Sequence, residues 1–169
     1  MARRPSGGRG TFVTILEMLN EDHVFFKDRL KQLHVLAASQ EFAPNRAVAL
    51  ELVKDIRKRQ KDHLRREVEL LFPAMKEALV SLNISPIDPS VIHHLQEEHT
   101  GIGRTLYLLQ QELETLPVGH SWLKSLQRVE EPLLAHIDME DKRIFPQAAK
   151  VISKDVLDRL ARTTDILFT

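Results

Sequence analysis

Four histidines and two glutamates stand in this sequence where an apolar helical seam calls for leucine. His63 and Glu67 are four residues apart, as are His136 and Glu140, and both pairs lead into Phe-Pro: His63-Leu-Arg-Arg-Glu67-Val-Glu-Leu-Leu-Phe72-Pro73 and His136-Ile-Asp-Met-Glu140-Asp-Lys-Arg-Ile-Phe145-Pro146. The two copies keep a common offset of 73 residues. On a helix, side chains four apart lie one above the other on one face. Each pair therefore stacks an imidazole on a carboxylate, a ready pair of metal ligands.

A second repeat supplies two more imidazoles. Leu19-Asn-Glu-Asp-His23 matches Leu95-Gln-Glu-Glu-His99 at an offset of 76, and Leu30 and Leu33 then match Leu106 and Leu109. A lone inward histidine is more often a core residue, and a lone His-x-x-x-Glu more often decorates a solvated helix face. The joint pattern is different, because two carboxylates buried without partners would each cost several kcal/mol. Two divalent ions remove that cost. The expected metal set is His23, His63, Glu67, His99, His136 and Glu140, with two imidazoles per ion and the carboxylates free to bridge.

The elements that must position these residues are helices throughout. Phe12, Leu16, Leu19, Phe26, Leu30 and Leu33 alternate gaps of four and three, with His23 filling the one vacancy. This first helix is expected to stop near Glu41–Pro44. A second runs from about Asn45, read as its N-cap, with Val48, Leu52 and Ile56 inward; it passes through His63 and Glu67, and Pro73 kinks or ends its regular part, with Ala74–Val80 adding a further turn or two. Ser81–Pro89, with two prolines, is the longest connection, and Asp88 is placed to cap a third helix that starts at Pro89. There Ile92, Leu95, Ile102, Leu106, Leu109 and Leu113 repeat the seam around His99. Leu116–Gly119 breaks the chain. A fourth helix uses Trp122, Leu126, Val129 and Leu133 before His136 and Glu140, bent at Pro132, and a short fifth spans about Ser153–Arg162. The fold expected is all-α: an up-down four-helix bundle of two pseudo-twofold-related hairpins, with the short C-terminal helix capping one end.

Composition narrows the chemistry. Lys plus Arg and Asp plus Glu both number 24, so the net charge is zero and a nucleic-acid surface is not expected. With no cysteine in the chain, thiolate sites and disulfides are excluded and any metal is held by histidine and carboxylate, which suits iron or manganese, with zinc also chemically possible. No apolar run approaches the roughly 18 residues of a membrane span. Residues 1–10 are basic but lack a signal-type apolar region. They read as a disordered tail on a cytoplasmic protein whose single domain covers 11–169. His34, His93 and His120 are expected to face solvent, and His94, five residues before His99, to point away from it and not to be a ligand. Glu21, Glu97 and Glu98 form solvated acidic turns in preference to contacts with a ligating histidine. Tyr107 is a packing or surface residue.

The combined motif, His23, His63-x-x-x-Glu67 through Phe-Pro, Glu-x-His99 and His136-x-x-x-Glu140 through Phe-Pro, resembles the hemerythrin-like, or HHE cation-binding, domain over roughly Phe12 to Lys150. The resemblance implies a four-helix bundle around a non-haem di-iron centre, bridged by two carboxylates and a solvent-derived oxygen. His23, His63, His99 and His136 would be terminal ligands, and Glu67 and Glu140 bridges. Oxygen-carrying hemerythrins add a second histidine one turn from that of helix three, where this chain has Leu95 and Gly103. They also bridge with an aspartate matching Asp141, which is held in reserve to Glu140.

These readings lead to a protein that binds or senses a small oxidant (O2, NO or peroxide). The alternative is an enzyme acting on peroxide or oxidising ferrous iron. Gly101 and Gly103 follow His99 inside a helix, where each glycine costs about 0.5–1 kcal/mol relative to alanine. Close helix packing would explain them, and so would a path for a small molecule to one iron.

Overall fold

The computed structural model describes residues 13–39, 42–84, 89–115 and 121–167. Its helices are α1 (Ile15–Ala38), α2 (Phe42–Arg65), α3 (Phe72–Ser81), α4 (Pro89–Thr115), α5 (Leu123–Met139), α6 (Phe145–Val151) and α7 (Lys154–Leu167). A π-helical turn over Arg66–Leu71 joins α2 to α3, and another over Glu140–Ile144 joins α5 to α6. The described residues thus form five continuous helical rods, and among them there is no strand. Helix α1 packs on α2, α2 on α4, α4 on α5 and α5 back on α1, which closes an up-down bundle. The two extensions α3 and α6 pack on each other, and α7 lies against α1 and the first π turn.

Local chemistry starts and stops these rods. Thr14 and Glu17 form a capping box on α1: the Thr14 hydroxyl accepts from the Glu17 N–H at 3.2 Å, and the Glu17 carboxylate accepts from the Thr14 N–H at 2.6 Å. Those bonds from Thr14 hold the Glu17 carboxyl below its ordinary range. Arg46 closes the far end of α4 by donating to the carbonyls of Leu113 and Glu114, groups that a helix terminus leaves without intrahelical partners. Asn83 takes a left-handed conformation (φ 53°) after α3, and the next N–H, of Ile84, bonds back to the Leu79 carbonyl at 3.0 Å.

Several boundaries differ from the sequence reading. Helix α1 ends at Ala38, short of Glu41–Pro44. Helix α2 starts at Phe42, so Pro44 sits in its first turn, where a missing N–H costs nothing, and Asn45 is helical instead of capping. Val48 is 53 % exposed; the inward face is Ala49, Leu52, Val53 and Ile56. At Pro73 the regular α-helix has already given way to the π turn, and α3 carries the rod on through Ala74–Val80 as expected, while α5 runs on past Pro132. Helix α7 is longer than expected and buries Leu157, Ala161 and Thr164. Phe12, residues 1–10, the Asp88 cap, Leu116–Gly119 and His120 lie outside the described residues.

The apolar interior falls into two clusters. One gathers Phe26, Leu30, Ile56, Ile102, Leu106, Trp122, Leu126 and Leu133 between the four long helices. The other gathers Leu19, Leu71, Phe72, Met75, Leu95, Ile144, Phe145 and Ala148 beneath the extensions. His23, His63 and His99 lie in sequence between the members their own rods give to the two clusters, and His136 lies beside Ile137, the last member its rod gives to the first. His23 follows Leu19 and precedes Phe26; His99 follows Leu95 and precedes Ile102. A polar layer is therefore sandwiched between two greasy ones.

Candidate metal centre

All six residues singled out in the sequence meet in that layer, and none is more than 2 % exposed. Helix α1 contributes His23, α2 His63, α4 His99 and α5 His136. The glutamates come from the π turns, each at or near its start. Those turns have a local cause. Proline has no N–H and its ring crowds the carbonyl four residues back, so a rod that continues through Phe-Pro widens just before it. Phe72 bonds back five residues to the Glu67 carbonyl, and Phe145 to that of Glu140. The Phe-Pro repeats thus set the backbone on which the carboxylates stand, and Phe145 also stacks on the His23 ring with centroids 5.2 Å apart.

The Nε2 atoms converge on carboxylate oxygens. Glu67 Oε1 lies 3.6 Å from His63 and Oε2 lies 3.1 Å from His99. Glu140 Oε2 lies 3.2 Å from His23 and 3.8 Å from His63, while its Oε1 lies 3.0 Å from His136 and 3.9 Å from His99. Each carboxylate therefore turns one oxygen to the His23/His63 hairpin and the other to the His99/His136 hairpin. Ligand atoms of His63, Glu67, His99 and Glu140 fall within 4.8 Å of one another. Yet both oxygens of each glutamate, and Nε2 of His23, His99 and His136, are buried without a hydrogen-bond partner. Buried polar groups are almost always paired, so this concentration of unpaired donor atoms marks a place built for a cation.

The outward ring nitrogens are held by carboxylates. His23 Nδ1 donates to Asp141 at 2.7 Å, His63 Nδ1 to Asp22 at 3.2 Å and His136 Nδ1 to Glu98 at 2.9 Å. Asp22 is itself bonded by Arg59 and, at 2.7 Å, by Arg66; Asp141 is bonded by Lys27 at 2.9 Å. Such partners fix the ring and leave the inward nitrogen to coordinate. Asp141 is thus at the rim, about a third exposed, and Glu140 occupies the centre. Glu98 does not have a purely solvated role, because it supports His136. Asp22 was not singled out in the sequence, although its match to Glu98 in the 76-residue repeat was a signal. His34 and His93 are exposed as expected, and His94 is exposed too.

Without a cation the layer is electrostatically frustrated. Burial, helped by the neighbouring Glu140, outweighs His63 and holds the Glu67 carboxyl well above its ordinary range. Burial works the same way on Glu140, but the imidazoles of His136, His23 and His63 crowded against it overcome that and hold the carboxyl low. Burial and the nearby His136 push His99 down to about 3. For His63, burial is outweighed by Glu67 and Asp22, and it is pushed up to about 10. Protons are distributed to balance charges that two divalent ions would balance directly.

The glycines separate. Gly101 is exposed, and a Cβ there would meet nothing within 4 Å, so neither close packing nor a path accounts for it. A Cβ on Gly103 would lie 3.5 Å from the side-chain oxygen of Gln60. Gln60 is buried and donates to the His99 carbonyl at 3.2 Å. Together Gly103 and Gln60 line a surface groove flanked by Lys58 and Lys61.

A closed helical bundle with a buried layer of imidazoles and carboxylates defines a cation-binding bundle. The family model for the hemerythrin HHE cation-binding domain matches residues 14–148, and the chain belongs to that family. No curated protein and no solved structure matches it. Among the described residues, no helix is long and apolar enough to cross a membrane.

Proposed function

We propose that this chain is a non-haem di-iron protein that binds or senses a small oxidant, O2, NO or peroxide, in the bundle core. The observation that carries the reading is the convergence of four Nε2 atoms and four carboxylate oxygens, nearly all without hydrogen-bond partners, in one solvent-free layer. His23 and His63 would hold one ion and His99 and His136 the other, with the Glu67 and Glu140 carboxylates shared between them. Imidazole and carboxylate without thiolate favour iron, with manganese and zinc as alternatives. When bound, a pair of iron ions supplies one-electron chemistry and an open position for a small ligand.

The protein's own contribution is positional. Asp141, Asp22 and Glu98 keep protons on the outer nitrogens of three histidines, so the inner lone pairs face the centre. The apolar clusters above and below keep out water and bulky organic molecules. Elemental analysis of the purified protein, with optical spectra before and after reduction, tests the reading. Two irons per chain and an absorption band bleached by reductant are expected; a chain that retains no metal overturns it. Addition of peroxide then separates binding from turnover, because sustained O2 release would make the protein an enzyme.

A further inference from the structure

The three supported histidines leave one exception. His99 Nδ1 is buried and has no hydrogen-bond partner among the described residues. The internal repeat explains why. Asp22 and Glu98 are equivalent at the 76-residue offset, and each supports the histidine on the next rod, His63 and His136. Asp141, which supports His23, has its equivalent 73 residues earlier at Val68. Valine accepts no hydrogen bond.

We propose that the two cation positions are unequal, and that the one served by His99 and His136 is the weaker, exchangeable one. The inference rests on the two-ion reading above. An imidazole that coordinates through Nε2 carries its proton on Nδ1, and an acceptor there fixes the tautomer, orients the ring and raises its basicity. His99 lacks that acceptor and buries an N–H unpaired. The supporting carboxylates differ as well. In the His23/His63 half, Asp22 is fully buried and held by Arg59 and Arg66, and Asp141 is held by Lys27. In the other half the lone support is Glu98, about a third exposed and shared with the exposed His94 at 3.3 Å. Losing such a partner lowers metal affinity by about 10–100-fold.

The full-length chain, stripped of metal and titrated with Co(II), tests this. Two ions per chain are expected, with affinities about 10–100-fold apart, and a chelator should remove one ion well before the other. D141N should weaken the tight step by a similar factor and close the gap, leaving the weak step in place. V68D should strengthen the weak step. A variant that merely loosens the fold would shift both steps together, and far-UV circular dichroism identifies one that does not fold, in which case D141N alone decides. Two equal sites, or a D141N that moves only the weak step, overturn the proposal while leaving the two-ion reading intact. Fewer than two ions per chain overturn the two-ion reading itself.

Discussion

Replacing Glu67 by glutamine should change stability in opposite directions with and without metal. Neither Glu67 oxygen has a hydrogen-bond partner, and the Glu140 carboxylate shares its buried site. Burial with that neighbour raises its pKa above the ordinary 4.5. A raised carboxyl costs nothing at low pH and works against folding increasingly as pH climbs past the unfolded value. Glu67→Gln keeps the shape and removes the charge. Each unit by which burial raises the carboxyl costs about 1.4 kcal/mol once pH is above it, and for a chain of this size 1 kcal/mol is about 2–4 °C of Tm. The metal-free variant should therefore melt above the metal-free wild type, and its advantage should shrink toward pH 4. With ions present the order reverses. At a hundredfold excess over Kd each bound ion stabilises by about 2.7 kcal/mol, and a neutral amide in the bridging position forfeits most of that. The assay is thermal unfolding followed at 222 nm, with chelator and with Co(II) or Fe(II). A metal-free Glu67→Gln that melts below wild type at pH 7 would refute the reasoning, since Glu67 would then be stabilising the bundle without a cation.

Other outcomes follow from the same geometry. Gly101→Ala should stabilise the protein by about 0.5–1 kcal/mol, because the helical cost of glycine is relieved and the new methyl meets nothing; urea denaturation measures it. Asp22→Asn should cost about 1.5–3 kcal/mol at pH 7 through lost charge-assisted bonds. Burial alone would raise the Asp22 pKa, but His63, Arg59 and Arg66 hold it below 3.8, so its contribution is present above that value and lost as pH falls. Wild type and Asp22→Asn should therefore converge in stability in strong acid, as read by denaturation at stepped pH. Gly103→Leu should crowd Gln60 in the groove and slow reoxidation of reduced, iron-loaded protein without lowering its iron content, which stopped-flow absorbance and elemental analysis report together.

The candidate site was legible because each of its six residues interrupts an otherwise regular apolar seam. His23 and His99 replace single core residues, and a period of four and three places them inward without any knowledge of tertiary partners. The same rule failed at Val48, where the inward residue is its neighbour Ala49: a small side chain on a closely packed face carries little hydrophobic signal. Asp22 was missed for a related reason. It stands one residue from His23 in a run of acids that reads as solvated, and its burial comes from Arg59, Arg66 and His63 on another rod. The π turns were also out of reach. Proline signals a disturbance, but whether the helix stops or widens depends on what waits beyond it, and here α3 and α6 have each other to pack against.

A π turn is, in effect, a helix with one residue too many, the scar of a tolerated insertion. Each long rod of the His-x-x-x-Glu type carries such a scar at its glutamate, so the face that points inward above the carboxylate is out of phase with the face that points inward below it. Deleting one residue of Arg66–Leu71 would return the joint to plain α-helix with the turns on either side near their present directions, and would remove the widened turn on which Glu67 stands. At these two joints the count of residues and the placing of a carboxylate are one matter.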